Sequence, residues 1–131
     1  MVLDASAIIA ILAIEDDAAS LAARLSQARG VWVSGVAVYE AAAGLARIGA
    51  TDVGEMLALV EAFLKEVNAS VMPIDITVTR EAVAAFARFG KGHHPAALNM
   101  GDCFAYACAR RAGMPLLCKG NDFPRTDLEL A

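Results

Sequence analysis

The chain has 131 residues, 58% of them hydrophobic and only 20% charged, with a net charge of −4. That length suits one domain with its own core, and three cysteines (Cys103, Cys108 and Cys118) without a C-x-x-C pair argue against disulfide staples or structural zinc and for a reducing cytoplasm. The acidic balance excludes a broadly basic nucleic-acid surface, and no apolar run is long enough for a bilayer span or a secretory signal.

Short apolar runs alternate with long helical patterns, which predicts an α/β chain of βα units around a parallel sheet. Val2-Leu3 is a brief first strand. A helix follows from Ser6 to about Ile14, and another from Asp16 or Asp17 to Arg29, closed by Gly30. Val31-Trp32-Val33 forms the second strand, after which Ser34 caps a helix through Glu40 to Arg47, ended at Gly49. The next helix starts at Thr51 or Asp52 and places Met56, Leu57, Val60, Phe63, Leu64 and Val67 on its apolar side. Ser70-Val71-Met72 is a third strand, stopped by Pro73. From Thr77 or Thr79 to Phe89 a helix presents Val83, Phe86 and Phe89 at core spacing. The loop Gly90-Lys91-Gly92-His93-His94-Pro95 leads to Asn99, the cap of a helix from Met100 to Ala112. Met114 to Cys118 supplies a fourth strand, and Leu128-Glu129-Leu130 a fifth at the edge.

Four acids share a placement. Asp4 and Asp122 follow the first and fourth strands, while Glu40 and Asp102 open helices that begin at the same edge. Ligands of open parallel sheets bind beyond the carboxyl ends of the strands. Taken singly, each acid has a plain role: Asp4 and Asp102 at helix starts, Glu40 on a solvated helix face, Asp122 in a turn. Taken together they would repel one another unless a cation neutralised them. An all-carboxylate set suits Mg²⁺ or Mn²⁺ rather than zinc. The chain has no P-loop, G-x-G-x-x-G or G-x-S-x-G, so metal-assisted phosphodiester hydrolysis is the reaction class that remains. Candidate phosphate contacts are Lys91, His93, His94, Lys119 and Arg125, in the more basic second half. Trp32 and Tyr39 are assigned to core or interface, since no aromatic platform is visible.

These residues also carry a family resemblance. Val2-Leu3-Asp4-Ala5-Ser6-Ala7 resembles the opening of PIN-domain proteins, in particular the VapC toxins of bacterial toxin–antitoxin pairs. Leu98-Asn99-Met100-Gly101-Asp102-Cys103 resembles their central L-N-x-G-D-C motif, and Leu116-Leu117-Cys118-Lys119-Gly120-Asn121-Asp122-Phe123 their L-L-x-K-G-x-D-F motif. Glu40 matches the isolated glutamate of the third helix. The resemblance implies a single PIN-like domain over residues 1–131, a three-layer α/β/α fold with a short, mainly parallel sheet of four to five strands. It further implies a Mg²⁺- or Mn²⁺-dependent endoribonuclease toxin, restrained by a VapB-like antitoxin and paired as a homodimer. By the same resemblance Asp4 and Asp102 are direct metal ligands, and Glu40 and Asp122 support them through water or a second metal. Ser6 orients Asp4 or a metal-bound water, Asn99 braces Asp102, and Asp127 is auxiliary.

Two other readings compete. One is a catalytically silent PIN-like binding module. The other is a phospho-acceptor signalling domain using Asp75 and Lys119, which leaves Asp102 unexplained. An antitoxin helix would need an apolar groove, expected along the helices between Ile8 and Leu25 and around Tyr39.

Overall fold

The structure is a computed structural model describing residues 1–131. Its elements in chain order are β1 (Val2–Leu3), α1 (Ala5–Leu12), α2 (Ala18–Ser26), β2 (Val31–Ser34), α3 (Gly35–Gly49), α4 (Val53–Glu66), β3 (Ala69–Met72), α5 (Ile76–Phe89), α6 (Met100–Ala112) and β4 (Leu116–Leu117), with a 3₁₀ turn at Phe123–Arg125. The sheet order is β3-β2-β1-β4, and every pair is parallel. Because strand side chains alternate between faces, Val2 and Leu116 enter the core beneath α5 and α6, while Leu3 and Leu117 enter the core of α1 to α4. Each face of the sheet is thus covered, giving three layers. Apolar residues on both faces explain why these strands read as continuous hydrophobic runs.

Each major helix begins at a side-chain cap: Asp4 for α1, Ser34 for α3, Asp52 for α4, Asp75 for α5 and Asn99 for α6. Asp75 is therefore occupied, accepting from the Val78 N–H at 2.9 Å. Ile8 is fully buried in the α1–α4 core. Ile8→Ala is expected to cost about 2–5 kcal/mol in denaturant unfolding; a loss below 1 kcal/mol would contradict that packing.

Four expectations need correction. Residues 128–130 make no fifth strand: only Leu130 bridges Leu116, with the Leu116 N–H donating to the Glu129 carbonyl. Helix α2 ends at Ser26 rather than Arg29, and the Gly30 carbonyl beyond it accepts from the Met1 ammonium at 2.7 Å. On α5 the buried residues are Val78, Ala82, Ala85 and Phe89, whereas Val83 is 65% and Phe86 47% exposed. The small Ala82 and Ala85 allow α5 to pack closely on α6, so the larger residues flank that contact. A similar rotation exposes Leu57 on α4, where Val60 and Leu64 are buried.

Candidate active site

Asp4 continues the extended path of β1 and donates its N–H to the Leu117 carbonyl at 3.0 Å. It is 4% exposed. Its Oδ2 accepts from both the N–H (3.0 Å) and the hydroxyl of Ser6. The Ser6 Oγ in turn accepts from the Lys119 N–H at 2.9 Å, which fixes its proton toward Asp4. Oδ1 has no protein partner, and no buried side-chain oxygen in the structure is orphaned, so Oδ1 is the edge that meets the cleft. One oxygen caps the helix while the other stays free, so capping leaves Asp4 an oxygen for a ligand. Burial raises its pKa, against the Ser6 hydrogen bonds, and the charge of Asp122 adds a smaller rise.

Asp102 is held by a capping box. Its Oδ2 accepts from the Asn99 N–H at 2.8 Å, and Asn99 Oδ1 accepts from the Asp102 N–H at 3.0 Å. Asp102 Oδ1 remains free of protein donors. Burial raises this carboxyl also, with the charges of Asp4 and Asp122 acting the same way.

Glu40 arrives from α3, which Ser34 anchors through the Ala37 N–H at 3.0 Å. Its carboxylate lies against Gly101 on α6, with both oxygens in the space a Cβ there would fill. Sequence reasoning placed Gly101 in the motif without giving it a job; the job is close approach, for which only glycine is small enough. Burial first, then the charges of Asp4 and Asp102, pushes Glu40 up to about 7. Gly101→Ala should fold normally, because a flexible carboxylate can swing aside, yet lose about 10- to 100-fold in Mn²⁺ affinity and cleavage. Wild-type metal titration in that variant would remove the steric argument.

The four acids are not equivalent in position. Asp4, Glu40 and Asp102 line one cleft of about 410 Å³, together with Ser6, Asn99, Tyr39 and Arg47. Asp122 is exposed at the start of the 3₁₀ turn and outside that lining, though its charge reaches Asp4 and Asp102. Asp127 is drawn elsewhere: its carboxylate accepts from the Tyr106 hydroxyl at 2.6 Å and pairs with Arg88 at 2.9 Å. Cys118, pushed up to about 12 by burial and by three neighbouring acids, stays a neutral thiol.

The candidate RNA contacts also lie outside the cleft lining. Lys119 pairs with Glu15 and Asp17, which leaves it unsuited to assist a phospho-acceptor such as Asp75. Arg125 donates to the Pro95 carbonyl at 2.8 Å. His93 contacts the Ala87 carbonyl and the edge of Phe86, and His94 Nδ1 accepts from the Ala96 N–H. Lys91 is exposed on the same loop. Tyr39, expected in a core or interface, is 71% exposed at the cleft.

The donor chemistry fits a hard divalent cation: Asp4 Oδ1, Asp102 Oδ1 and both Glu40 oxygens are free of protein donors, and the cleft lining offers neither histidine nor cysteine. As the side chains stand, no three His, Cys, Asp or Glu groups converge tightly enough to wrap an ion unaided.

Comparison with known proteins gives a consistent result. Residues 1–129 match the PIN domain family. A VapC ribonuclease of Rhizobium meliloti is 44% identical, with 95% of this chain and 96% of that protein covered. Ribonuclease VapC28 of Mycobacterium tuberculosis is 42% identical, with 100% and 97% covered. Among solved structures, VapC20 of M. tuberculosis, described as a sarcin-ricin loop cleaving toxin, superposes with a TM-score of 0.77 at 17% identity, covering 99% of this chain and 97% of that one. A toxin–antitoxin complex from Klebsiella pneumoniae gives 0.72 at 14%, covering 99% and 95%. The last two speak to the fold, and the relatives above 40% identity to descent. By the match over residues 1–129 and by those relatives, this chain belongs to the PIN-domain family.

Proposed function

We propose that this protein is a divalent-metal-dependent endoribonuclease, the toxin of a type II toxin–antitoxin pair, and that a single domain over residues 1–131 carries the activity. The observation that carries this reading is the state of Asp4: almost fully buried, one oxygen fixed by Ser6, the other free, in a cleft it shares with Glu40 and Asp102. The named VapC ribonucleases among its relatives support it. Asp4 and Asp102 would hold Mg²⁺ or Mn²⁺ directly. The bound cation would polarise the phosphate and lower the pKa of attacking water. Ser6 keeps Asp4 in one orientation, and Asn99 does the same for Asp102. Glu40, near neutrality in its titration, is suited to exchange a proton at its carboxyl during hydrolysis. Asp122 adds negative potential from the rim.

The partner would be a VapB-like antitoxin. A groove of about 570 Å³ runs between α1, α2 and α4, with Ile11, Leu12, Leu25, Phe63 and Val67 in its lining. It suits the apolar face of an amphipathic helix. This refines the expected surface, since Ile8 itself is core. The exposed Val83, Phe86 and Met100 are an apolar strip fit for a homodimer contact. No helix is long and apolar enough to cross a membrane, and we assign the protein to the cytoplasm.

Purified protein should cut RNA internally with Mg²⁺ or Mn²⁺ and stop in EDTA. Undiminished cutting in EDTA would reject the mechanism. A protein that binds neither cation would instead favour the silent binding module.

A further inference from the structure

Helix α3 presents more to the cleft than Glu40. Tyr39, Glu40, Ala43, Gly44 and Arg47 all line it, a spacing of three, four and seven residues that keeps them on one helical face. Glu40 and Arg47 are separated by a rise of about 10 Å. Between them lie Ala43 and Gly44, the latter buried under Ile9, whose Cδ1 lies 2.6 Å from where a Cβ would stand and which itself lines the cleft.

Arg47 is an exposed cation in an acidic cleft, yet it forms none of the three salt bridges in the structure. Nor is it among the charges that act on Asp4, Glu40 or Asp102. It shares their cleft without a side-chain partner of its own. Its guanidinium therefore keeps its donors for an anion that reaches from the acids outward, and a phosphodiester matches that fork. Tyr39, 71% exposed beside Glu40, packs no core. An exposed ring beside a phosphate track is suited to stacking on an unpaired base.

We infer that α3 carries a track for single-stranded RNA, in which Tyr39 stacks on a base beside the reacting phosphate and Arg47 holds a phosphate further along the strand. The inference rests on the ribonuclease reading above. Tyr39 also borders an apolar groove with Val38, Val53 and Leu57, where a protein helix could lie. RNA is favoured because the aromatic and the cation are joined by one trough that leads to the acids, and Arg47 is absent from the apolar groove.

The test measures binding of a short fluorescein-labelled single-stranded RNA, with Ca²⁺ in place of Mg²⁺, and steady-state cleavage with Mg²⁺. Arg47→Gln should weaken binding and raise KM about tenfold or more, with kcat changed much less. Its salt slope, log K against log salt, should be shallower by about 0.7. Tyr39→Ala should weaken binding about 5- to 100-fold, and Tyr39→Phe should restore it. Lys65→Gln, on the far end of α4, serves as the charge control. Wild-type RNA affinity and KM in both Arg47→Gln and Tyr39→Ala overturn the inference and leave Tyr39 as part of a protein-docking face. A wild-type protein that cuts no RNA sinks the ribonuclease reading instead, and the binding measurements still decide whether the track exists.

Discussion

Asp4→Asn is expected to abolish RNA cleavage while leaving the metal-free protein at least as stable as wild type. The two halves of that result have one cause. Asp4 is 4% exposed, and burial penalises its charged form. Asparagine has the same shape, and its oxygen can still accept from the Ser6 N–H and hydroxyl, so the α1 cap survives. What disappears is the negative charge that draws a cation and the second oxygen that would bind it. Groups that merely orient a metal ligand cost about 10- to 100-fold when removed, so a direct ligand should cost at least about 100-fold. Thermal denaturation in EDTA, run beside a cleavage assay, reads both halves. A variant that melts far below wild type, or one that keeps full activity, would show that Asp4 is structural first.

Much of the architecture could be read because burial on both faces of a parallel sheet leaves a plain mark. Val2-Leu3 and Leu116-Leu117 are apolar at every position, and the structure divides each pair between the two cores. The acids were legible for a related reason. In so apolar a chain, carboxylates at strand ends and helix starts have few explanations, and the Asn99–Asp102 spacing names its own capping box. The α5 face was misread because alanine carries little hydrophobic weight, although Ala82 and Ala85 decide how closely α5 and α6 approach. Gly101 had no assigned role because its purpose depends on a glutamate 61 positions earlier in the sequence. For Tyr39 the core and interface alternatives stood side by side, since an aromatic is usually buried, and only the direction of α3 removes the core one and shows that the ring faces the cleft. Arg47 carried a signal that was available, seven residues after Glu40 on the same helical face, but it has meaning only once the cleft is built.

Without a divalent cation, the protein should lose stability as the pH rises from about 5 to 7.5. Glu40 titrates near its usual 4.5 in the unfolded chain but at about 7 in the folded one. Between those values the folded state holds a proton that the unfolded state has released, so each step up in pH favours unfolding. The stabilising protonated form is complete below about 4.5 and is lost through about 7. At about 1.36 kcal/mol per unit the full shift is worth about 3 kcal/mol, and solvent at this half-buried group reduces that to about 1–2 kcal/mol. The raised carboxyls of Asp4 and Asp102 act in the same direction. Asp17, Asp75 and Asp127 are lowered instead, so the stability they contribute is lost only in more acidic solution and does not blur this window. Saturating Mg²⁺ or Mn²⁺ should reverse the trend, adding about 2.7 kcal/mol where it stands at a hundred times its Kd; at one fixed concentration it adds more at pH 7.5 than at pH 5, where protons compete for the same oxygens and raise the Kd. Glu40→Gln should flatten much of the metal-free profile. Melting curves in EDTA and in Mg²⁺ across this range provide the measurement. If stability in EDTA is flat or rises with pH, the acids do not burden the folded state, and the physical case for a resident cation fails with them.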